Sequence, residues 1–290
     1  MSEQTVERVG VVGSGLMGAG IAEVCARAGL DVVVREVDDD RLAAGRSRIE
    51  GSLARAVGAG KLDGADRDAA LDRLRYTTDL ADLADRELVV EAVVEDEEAK
   101  VEVFAQLDEV VADPAAVLAS NTSSIPIMKL AMATRRPASV VGIHFFNPVP
   151  VLRLVELVPS LLTSDETAAR AEAFATGALG KRVIRSKDRA GFVVNALLIP
   201  YILSAIRMLE SGFATPEDID AGMVEGCAHP MGPLALADLI GLDTTIAVAE
   251  SLYEEFKEPL YAAPPLLSRM VDAGLLGRKT GRGFYTYGPR

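Results

Sequence analysis

The sequence predicts an α/β protein in which a doubly wound parallel sheet is followed by an all-helical second domain. Short apolar runs rich in β-branched residues alternate with longer helical patterns through the first part of the chain. These runs are apolar on both faces, which is typical of a parallel sheet covered by helices on both sides. Beyond about Lys187 the strand patterns almost disappear. We therefore expect two domains, residues 1–186 and 187–290.

The elements of the first domain follow the apolar runs. Strands are predicted at Val9–Val12, Val32–Glu36, Leu88–Val93, Val117–Ala119 and Val140–Phe145. The helical patterns between them are Met17–Ala28, Arg41–Val57, Glu97–Val111 and a shorter piece after Ser124. Residues 152–157 then alternate in polarity, which predicts a strand that returns from a proline-rich turn.

The second domain shows only helical periodicity. Helices are predicted at Val193–Leu209, Pro216–Val224, Leu234–Phe256 and Pro265–Ala273. Thr215 fits the N-cap of the second of these helices and Pro216 its first position. A helical domain of this size is small enough to share its apolar faces with a second subunit.

The composition limits the possible partners. A net charge of −13 repels nucleic acid and anionic membranes. No apolar run reaches the roughly 18 residues that a membrane span needs, and no Cys/His cluster has metal-ligand spacing. The first residues lack a secretory signal pattern, and the two cysteines, Cys25 and Cys227, lie in apolar helical contexts that predict buried, reduced thiols. These features predict a soluble, cytoplasmic protein without a metal.

A glycine-rich turn joins the first predicted strand to the first predicted helix. Its residues, Gly13-Ser14-Gly15-Leu16-Met17-Gly18, have the G-x-G-x-x-G spacing of a dinucleotide site. Gly13 permits the tight turn, Gly15 lets backbone N–H groups approach a pyrophosphate, and Gly18 lets helix and strand pack closely. The alternative is a tight turn that binds no ligand. The context favours a Rossmann-type cofactor site with the phosphates at the helix N-terminus.

The end of the second strand indicates which dinucleotide binds. Glu36 lies 18 residues past Gly18, where a carboxylate binds the adenosine ribose hydroxyls and repels a 2′-phosphate. The neighbouring Arg35 could instead receive that phosphate. Without the glycines, Glu36 could equally be a solvated strand end. We predict NAD in preference to NADP.

The two histidines are candidates for acid–base chemistry near neutral pH. His144 ends a predicted strand, at the edge where open α/β sheets bind ligands. The predicted return strand could bring Glu156 beside it, and a carboxylate there would fix the tautomer and stabilise the imidazolium. A lone histidine at a strand end is also often structural, and Glu156 could point to solvent. We interpret His229, in a loop between helices, as structural.

Further motifs follow one another in a fixed order. They are Ser120-Asn121-Thr122-Ser123-Ser124, His144–Pro150, Gly191-Phe192-Val193-Val194-Asn195, His229–Pro233 and Gly281–Tyr285. Together with the glycine turn they closely resemble the 3-hydroxyacyl-CoA dehydrogenase family, over essentially the whole chain, and most closely its stand-alone bacterial 3-hydroxybutyryl-CoA dehydrogenases. The resemblance implies NAD-dependent, reversible oxidation of (S)-3-hydroxybutyryl-CoA or another short-chain 3-hydroxyacyl-CoA to the 3-ketoacyl-CoA.

The resemblance also implies roles for single residues. His144 corresponds to the general base and Glu156 to its partner, while Ser123 and Asn195 hold the 3-oxygen and thioester region of the substrate. The implied cofactor contacts, besides the glycine turn and Glu36, are Glu95, Lys100, Asn121, Ser123, Asn147 and Lys279. For CoA the resemblance implies Ser52. Relatives often carry lysines just after that serine, whereas this chain has Arg55 and Lys61, so the residue that holds the CoA phosphates stays open.

Family members dimerise through the helical domain, which implies a homodimer here. One alternative is a relative that oxidises a free hydroxy or sugar acid, as an L-gulonate dehydrogenase does. Another is a non-catalytic NAD-binding protein like the related lens crystallins. The predicted set of catalytic residues argues against lost catalysis.

Overall fold

The computed structural model describes residues 6–288. The chain divides into two compact units, residues 1–188 and 189–290, where the sequence predicts a boundary after residue 186. Residues 1–5 and 289–290, the outer ends of the two predicted domains, lie outside the described residues, as does most of the segment searched for a secretory signal.

Within the described residues, the first unit forms one sheet of eight strands in the order β3-β2-β1-β4-β5-β6-β7-β8. The strands are β1 (Arg8–Val12), β2 (Asp31–Arg35), β3 (Leu74–Thr77), β4 (Leu88–Glu91), β5 (Val117–Ser120), β6 (Val140–Phe145), β7 (Leu154–Pro159) and β8 (Arg182–Arg185). Strands β1 to β6 are parallel, and β7 pairs with β6 in the antiparallel direction. The predicted doubly wound sheet is confirmed, and so is the return strand.

Helices cover the sheet, and its central strands β4, β5 and β6 are therefore buried along their whole length. They are α1 (Leu16–Arg27), α2 (Asp39–Gly58), α3 (Gly64–Asp72), α4 (Glu97–Val110), α5 (Ile127–Met132) and α6 (Asp165–Ala173). Two helices that follow the carboxyl ends of strands begin at aspartate caps: Asp38 accepts from Arg41 N at 2.8 Å and Asp96 from Ala99 N at 2.9 Å. These caps fix where α2 and α4 start, next to the ends of β2 and β4.

Four elements of the first unit are absent from the sequence prediction, namely β3, β8, α3 and α6. Strands β3 and β8 are the two outermost strands and have only four residues each. Their sequences, Leu-Arg-Tyr-Thr and Arg-Val-Ile-Arg, have only two apolar or aromatic residues each, and only one residue of the eight is buried, as is typical of edge strands. Helices α3 and α6 have only nine residues each, too few to show a clear apolar period in the sequence.

The second unit is helical, as predicted. Its helices are α7 (Val194–Glu210), α8 (Pro216–Cys227), α9 (Pro233–Ile240), α10 (Leu242–Phe256) and α11 (Pro265–Asp272). Their core includes the fully buried residues Leu203, Ile206, Leu234, Leu252 and Leu267.

The prediction of one helix over Leu234–Phe256 is wrong. Gly241 has φ +104°, a value outside the helical region, and it separates α9 from α10. The apolar period continues across this break, so the pattern alone does not reveal it.

The prediction of two buried thiols is half wrong. Cys25 is buried in α1, but Cys227, the last residue of α8, is exposed. Within residues 6–288, no helix has both the length and the apolar character that a membrane crossing requires. The same residues contain no group of three or more His, Cys, Asp and Glu side chains that could hold a metal ion.

Candidate active site

The glycine turn runs from β1 into α1 beside the end of β4. Gly13 has φ +94°, and a Cβ there would lie 2.7 Å from Ala92 O, so only glycine fits. A Cβ on Gly18 would lie 1.9 Å from Gly13 O, which shows how closely helix and turn pack. Gly15 differs: among the described residues, a Cβ there would meet no atom within 4 Å. Open space therefore lies above Gly15, where the fingerprint places the cofactor phosphates.

Glu36 lies directly after β2 and contacts the glycine turn. Its Oε1 accepts from Ser14 N at 2.6 Å and from Ser14 Oγ at 3.2 Å. Ser14 is buried, whereas Leu16 is exposed and Met17 half-buried. A carboxylate thus lies beside the turn at the end of the second strand, where the sequence predicts the adenosine ribose. This donor set fits NAD.

One further glycine, which the sequence analysis missed, brings α2 close to this turn. A Cβ on Gly45 would lie 2.0 Å from Ser14 Oγ. Arg48, one turn further along α2, donates to Ser14 O at 3.3 Å. A glycine inside a polar helical pattern is the only sequence signal that could have indicated this close approach.

His144 and Glu156 form a buried pair across β6 and β7. The two residues are direct partners in the antiparallel register, and His144 Nδ1 lies 2.7 Å from Glu156 Oε2. Glu156 is fully buried and the His144 side chain is 8% exposed. Because a carboxylate can only accept, we assign the Nδ1 proton to the imidazole. The ring of Phe146 lies 4.5 Å from that of His144, centroid to centroid, in a tilted arrangement.

The turn between these strands is held by Lys181, a residue the sequence analysis missed. Its Nζ donates to Val149 O at 2.5 Å and to Leu152 O at 2.7 Å. Burial and, after it, the charge of Arg27 lower the pKa of Lys181 below its ordinary value. A lysine just before a short edge strand gives no sequence signal of this role.

The loop after β5 carries Ser123, and one carboxylate, Glu95, accepts hydrogen bonds from several groups of this loop. Its Oε1 accepts from Thr122 Oγ1 at 2.5 Å, Ser123 N at 2.8 Å and Ser124 N at 3.2 Å. Burial alone would raise the pKa of Glu95, but the charge of Lys100 and these hydrogen bonds lower it below its ordinary value. Glu95 is therefore ionised at neutral pH and orders the loop.

Asn121, at the start of the same loop, connects β5 to β6. Its Oδ1 accepts from Phe145 N at 2.9 Å, directly after His144. The carboxyl ends of β5 and β6, with Ser123 and His144, are thus fixed relative to each other.

Beneath this loop lies an ion pair that sequence reasoning found only in part. The resemblance implied Lys100 as a cofactor contact, but its partner Glu91 was not predicted. Lys100 Nζ lies 2.5 Å from Glu91 Oε1 and 3.3 Å from Glu95 Oε2. Glu91 also accepts from Ser120 Oγ at 2.6 Å. An acidic residue that ends an otherwise apolar strand, Leu-Val-Val-Glu, is the signal that could have found it.

The remaining predicted residues of the first unit lie on α2, just beyond α2, or in the turn after β6. Ser52 and Arg55 are on α2, half-buried and exposed respectively, and Lys61 is exposed just beyond that helix. Asn147 is exposed in the turn after β6. The structure thus offers polar groups on α2 for a ligand but does not choose among Ser52, Arg55 and Lys61.

Two predicted residues belong to the second unit. Asn195 is half-buried in the first turn of α7. Lys279 pairs with Asp243, with Nζ and Oδ2 2.5 Å apart, both about half exposed. His229 contacts Tyr201 OH through Nδ1 at 3.1 Å, in keeping with a structural role.

The motif near the C-terminus is anchored by two buried aspartates of the second unit. Asp238 accepts from Phe284 N and Tyr285 N, both at 2.9 Å, and a Cβ on Gly283 would lie 1.9 Å from its carboxylate. Asp220 accepts from Tyr285 OH at 2.9 Å. These contacts explain the glycine and aromatic residues of that motif by packing within the unit.

Two family models match nearly the whole chain. Residues 8–189 match the model of the 3-hydroxyacyl-CoA dehydrogenase NAD binding domain. Residues 191–287 match the model of the 3-hydroxyacyl-CoA dehydrogenase C-terminal domain.

Named relatives agree in sequence and in fold. A Mycobacterium tuberculosis protein named 3-hydroxybutyryl-CoA dehydrogenase is 64% identical over 282 residues, which are 97% of this chain and 99% of the relative. The crystal structure of M. tuberculosis FadB2, also 64% identical, superposes with a TM-score of 0.98 over 98% of this chain and 100% of that one. The (S)-3-hydroxybutyryl-CoA dehydrogenase PaaH1 of Ralstonia eutropha is 48% identical, with a TM-score of 0.93 and coverage of 98% and 100%.

Proposed function

Since the chain belongs to the 3-hydroxyacyl-CoA dehydrogenase family, we propose that it oxidises the 3-hydroxyl of (S)-3-hydroxybutyryl-CoA to acetoacetyl-CoA, reversibly and with NAD. The single observation that carries the chemistry is the buried contact between His144 Nδ1 and Glu156 Oε2, at 2.7 Å. The relatives named for this reaction, at up to 64% identity over nearly the whole chain, support the substrate.

The protein's part in the reaction is to move one proton. Bound NAD supplies the hydride chemistry. With Nδ1 directed at Glu156, Nε2 of His144 is the nitrogen that takes the hydroxyl proton as the C3 hydride leaves. Glu156 holds the ring in this tautomer and stabilises the imidazolium that forms, because a fully buried carboxylate acts through a low dielectric. In the reverse direction protonated His144 returns the proton to the 3-keto oxygen.

Two polar residues orient the reacting oxygen in this proposal. Ser123, ordered by Glu95, and Asn195, in the first turn of α7, donate to the substrate where carbonyl character develops at C3. Asn147 and Lys279 contribute further cofactor contacts. In this proposal residues 1–186 are the NAD-binding domain and residues 187–290 the substrate and dimerisation domain.

The cofactor half of the proposal draws on the glycine turn and Glu36. The open space above Gly15 accommodates the pyrophosphate, and Leu16 and Met17 begin the helix whose N–H groups approach it. Glu36 binds the adenosine ribose and disfavours a 2′-phosphate, which supports NAD over NADP.

The CoA part of the substrate binds along α2. Ser52 contacts CoA, and Arg55 and Lys61 supply the positive charge that its phosphates need on a chain of net charge −13. The free-acid and crystallin-like alternatives lack such support, because relatives that are 64% and 49% identical are named for a CoA thioester.

The assembly and location of the protein complete the proposal. The small helical unit forms a homodimer, in which its exposed apolar side chains such as Leu197 and Phe213 become buried. The reaction takes place in the cytoplasm, where free thiols such as Cys25 and Cys227 stay reduced.

The decisive experiment follows NADH absorbance during reduction of acetoacetyl-CoA, with longer 3-ketoacyl-CoAs, free acetoacetate and NADPH in parallel. We expect rapid NADH oxidation with acetoacetyl-CoA, little with free acetoacetate, and slower rates with NADPH. Tight NADH binding without turnover of any CoA thioester would refute the proposed substrate and leave the cofactor site standing.

A further inference from the structure

A charged cluster at the end of β4 has members that the proposed proton transfer does not use. We call Glu91, Lys100 and Glu95 the charge triad. Glu91 ends β4, Lys100 lies in the first turn of α4, and Glu95 lies in the loop between them. Lys100 bridges the two carboxylates, at 2.5 Å from Glu91 and 3.3 Å from Glu95.

Glu91 is the buried end of this triad. It is 0% exposed, and its carboxylate accepts from Lys100 Nζ, from Val93 N at 2.7 Å and from Ser120 Oγ at 2.6 Å. Burial of an ion pair is costly unless such hydrogen bonds satisfy it, and replacement of a buried ion pair by apolar residues is often neutral or stabilising. The pair therefore calls for an explanation beyond stability.

The charge count assigns Glu91 a role in the site. Glu91 neutralises Lys100, so the charge of Glu95 is left uncompensated and the triad carries a net charge of −1. Lys100 is 1% exposed, whereas Glu95 is 37% exposed and reaches the loop of Ser123. The excess negative charge thus lies next to a residue proposed to bind the substrate.

The topology places the triad on one side of the cofactor site. A dinucleotide lies across the crevice between the two halves of such a sheet, one mononucleotide over each half. Glu36 marks the adenosine half, at the end of β2. The half of β4, β5 and β6 carries Ser123 and His144, so the nicotinamide of bound NAD would lie over this half, on the side of the triad.

We propose that Glu91 is a positioning residue that holds Lys100 and sets the net charge of the triad, which favours the oxidised, cationic nicotinamide of NAD⁺ over the neutral ring of NADH. This inference rests on the proposed placement of the cofactor. The two forms of the cofactor differ by one charge at the nicotinamide, so a nearby negative group discriminates between them by Coulomb attraction. The same charge makes bound NADH a stronger hydride donor, because loss of the hydride leaves the cation.

The test is Glu91→Gln, which keeps the size of the side chain and removes one charge. Dissociation constants are measured for NADH by its fluorescence and for NAD⁺ by competition. We expect the ratio Kd(NAD⁺)/Kd(NADH) to rise about fivefold or more, as for one unit charge acting over about 10–15 Å at an effective dielectric near 20. Equal weakening of both forms, as a purely structural role predicts, would overturn the proposal.

Matched variants separate charge from stability. Asp108→Asn neutralises another buried, ion-paired carboxylate on α4, eight residues beyond Lys100 and so about 12 Å along the helix. Ser120→Ala removes a hydrogen bond to Glu91 without changing its charge. Both should lower the melting temperature and leave the ratio of dissociation constants unchanged. A rise of the ratio in either variant to the level of Glu91→Gln would also overturn the proposal.

A second variant decides the question if Glu91→Gln does not fold. Glu95→Gln neutralises the exposed member of the triad and leaves the buried pair intact, and it should raise the same ratio. An unchanged ratio there would refute the charge argument. Turnover of acetoacetyl-CoA by the unmodified protein is measured alongside: its absence, with NADH binding retained, would count against the proposed function and not against the triad.

Discussion

Replacement of Glu156 by glutamine tests the central contact of the site. The substitution keeps the shape of the side chain and an acceptor oxygen for His144 Nδ1, but it removes the negative charge that stabilises the imidazolium. Because Glu156 is fully buried and pairs with His144 across two adjacent strands, the new side chain has the same neighbours. The effect should therefore appear in catalysis, with little change of fold.

The expected magnitude follows from the geometry. A hydrogen bond to a charged group contributes about 1.5–3 kcal/mol, and a neutral one about 0.5–1.5 kcal/mol. The difference of about 1–2 kcal/mol corresponds to a loss of about 5- to 30-fold in kcat. Glu156→Ala loses the whole hydrogen bond and should cost about 10- to 150-fold. His144→Ala, which removes the base itself, should cost about 10²–10⁴-fold.

The assay is steady-state reduction of acetoacetyl-CoA by NADH, with the dissociation constant of NADH and the melting temperature measured for each variant. The reasoning holds if kcat falls progressively from Glu156→Gln to Glu156→Ala to His144→Ala while the dissociation constant of NADH stays within about twofold of that of the unmodified protein. It is refuted if folded Glu156→Gln turns over at the normal rate, or if its loss appears wholly in NADH binding.

Three further outcomes are expected. Gly15→Ala should keep the melting temperature within about 2 °C, because its Cβ enters open space among residues 6–288, but it should weaken NADH binding about tenfold or more, because that space is where the phosphates are proposed to bind. Gly18→Ala, whose Cβ would lie 1.9 Å from a carbonyl oxygen, should instead fail to fold. Normal NADH binding by Gly15→Ala would contradict the placement of the phosphates. Asp108→Asn should lower the melting temperature by about 3–8 °C at neutral pH. Burial alone would raise the pKa of Asp108, but hydrogen bonds from two arginines lower it below its ordinary value of 3.8. The contribution of Asp108 to the stability of the fold is therefore present above pH 3.8 and is lost as the pH falls through the lowered pKa. The deficit of Asp108→Asn in pH-dependent melting should therefore shrink below about pH 4, and a deficit independent of pH would contradict this account. A thiol reagent should label Cys227 in the folded protein and Cys25 only after unfolding, because Cys25 is buried and burial raises its pKa to about 12. Mass spectrometry of the labelled peptides checks this prediction. Labelling of Cys25 in the folded protein would contradict it.

The sequence alone was sufficient wherever one strand or helix contains the whole signal. The glycine turn, Glu36 at the end of β2 and the strand that ends at His144 all have local patterns, because strand ends and tight turns restrict which residues fit. The presence of the central strands and the helical character of the second unit were predictable for the same reason. The roles proposed for Ser123 and Asn195 came from resemblance to a family, and they remain predictions.

Only the tertiary structure decided which side chains meet. The antiparallel register of β6 and β7 puts Glu156 opposite His144. The tertiary structure also pairs Glu91 with Lys100, and it brings Lys181, which gave no local signal, to the turn between β6 and β7. The edge strands and the break at Gly241 were missed because their local patterns are weak or continuous with their neighbours. A sequence records the period of each element, whereas contacts between elements depend on register and packing, which only the folded chain fixes.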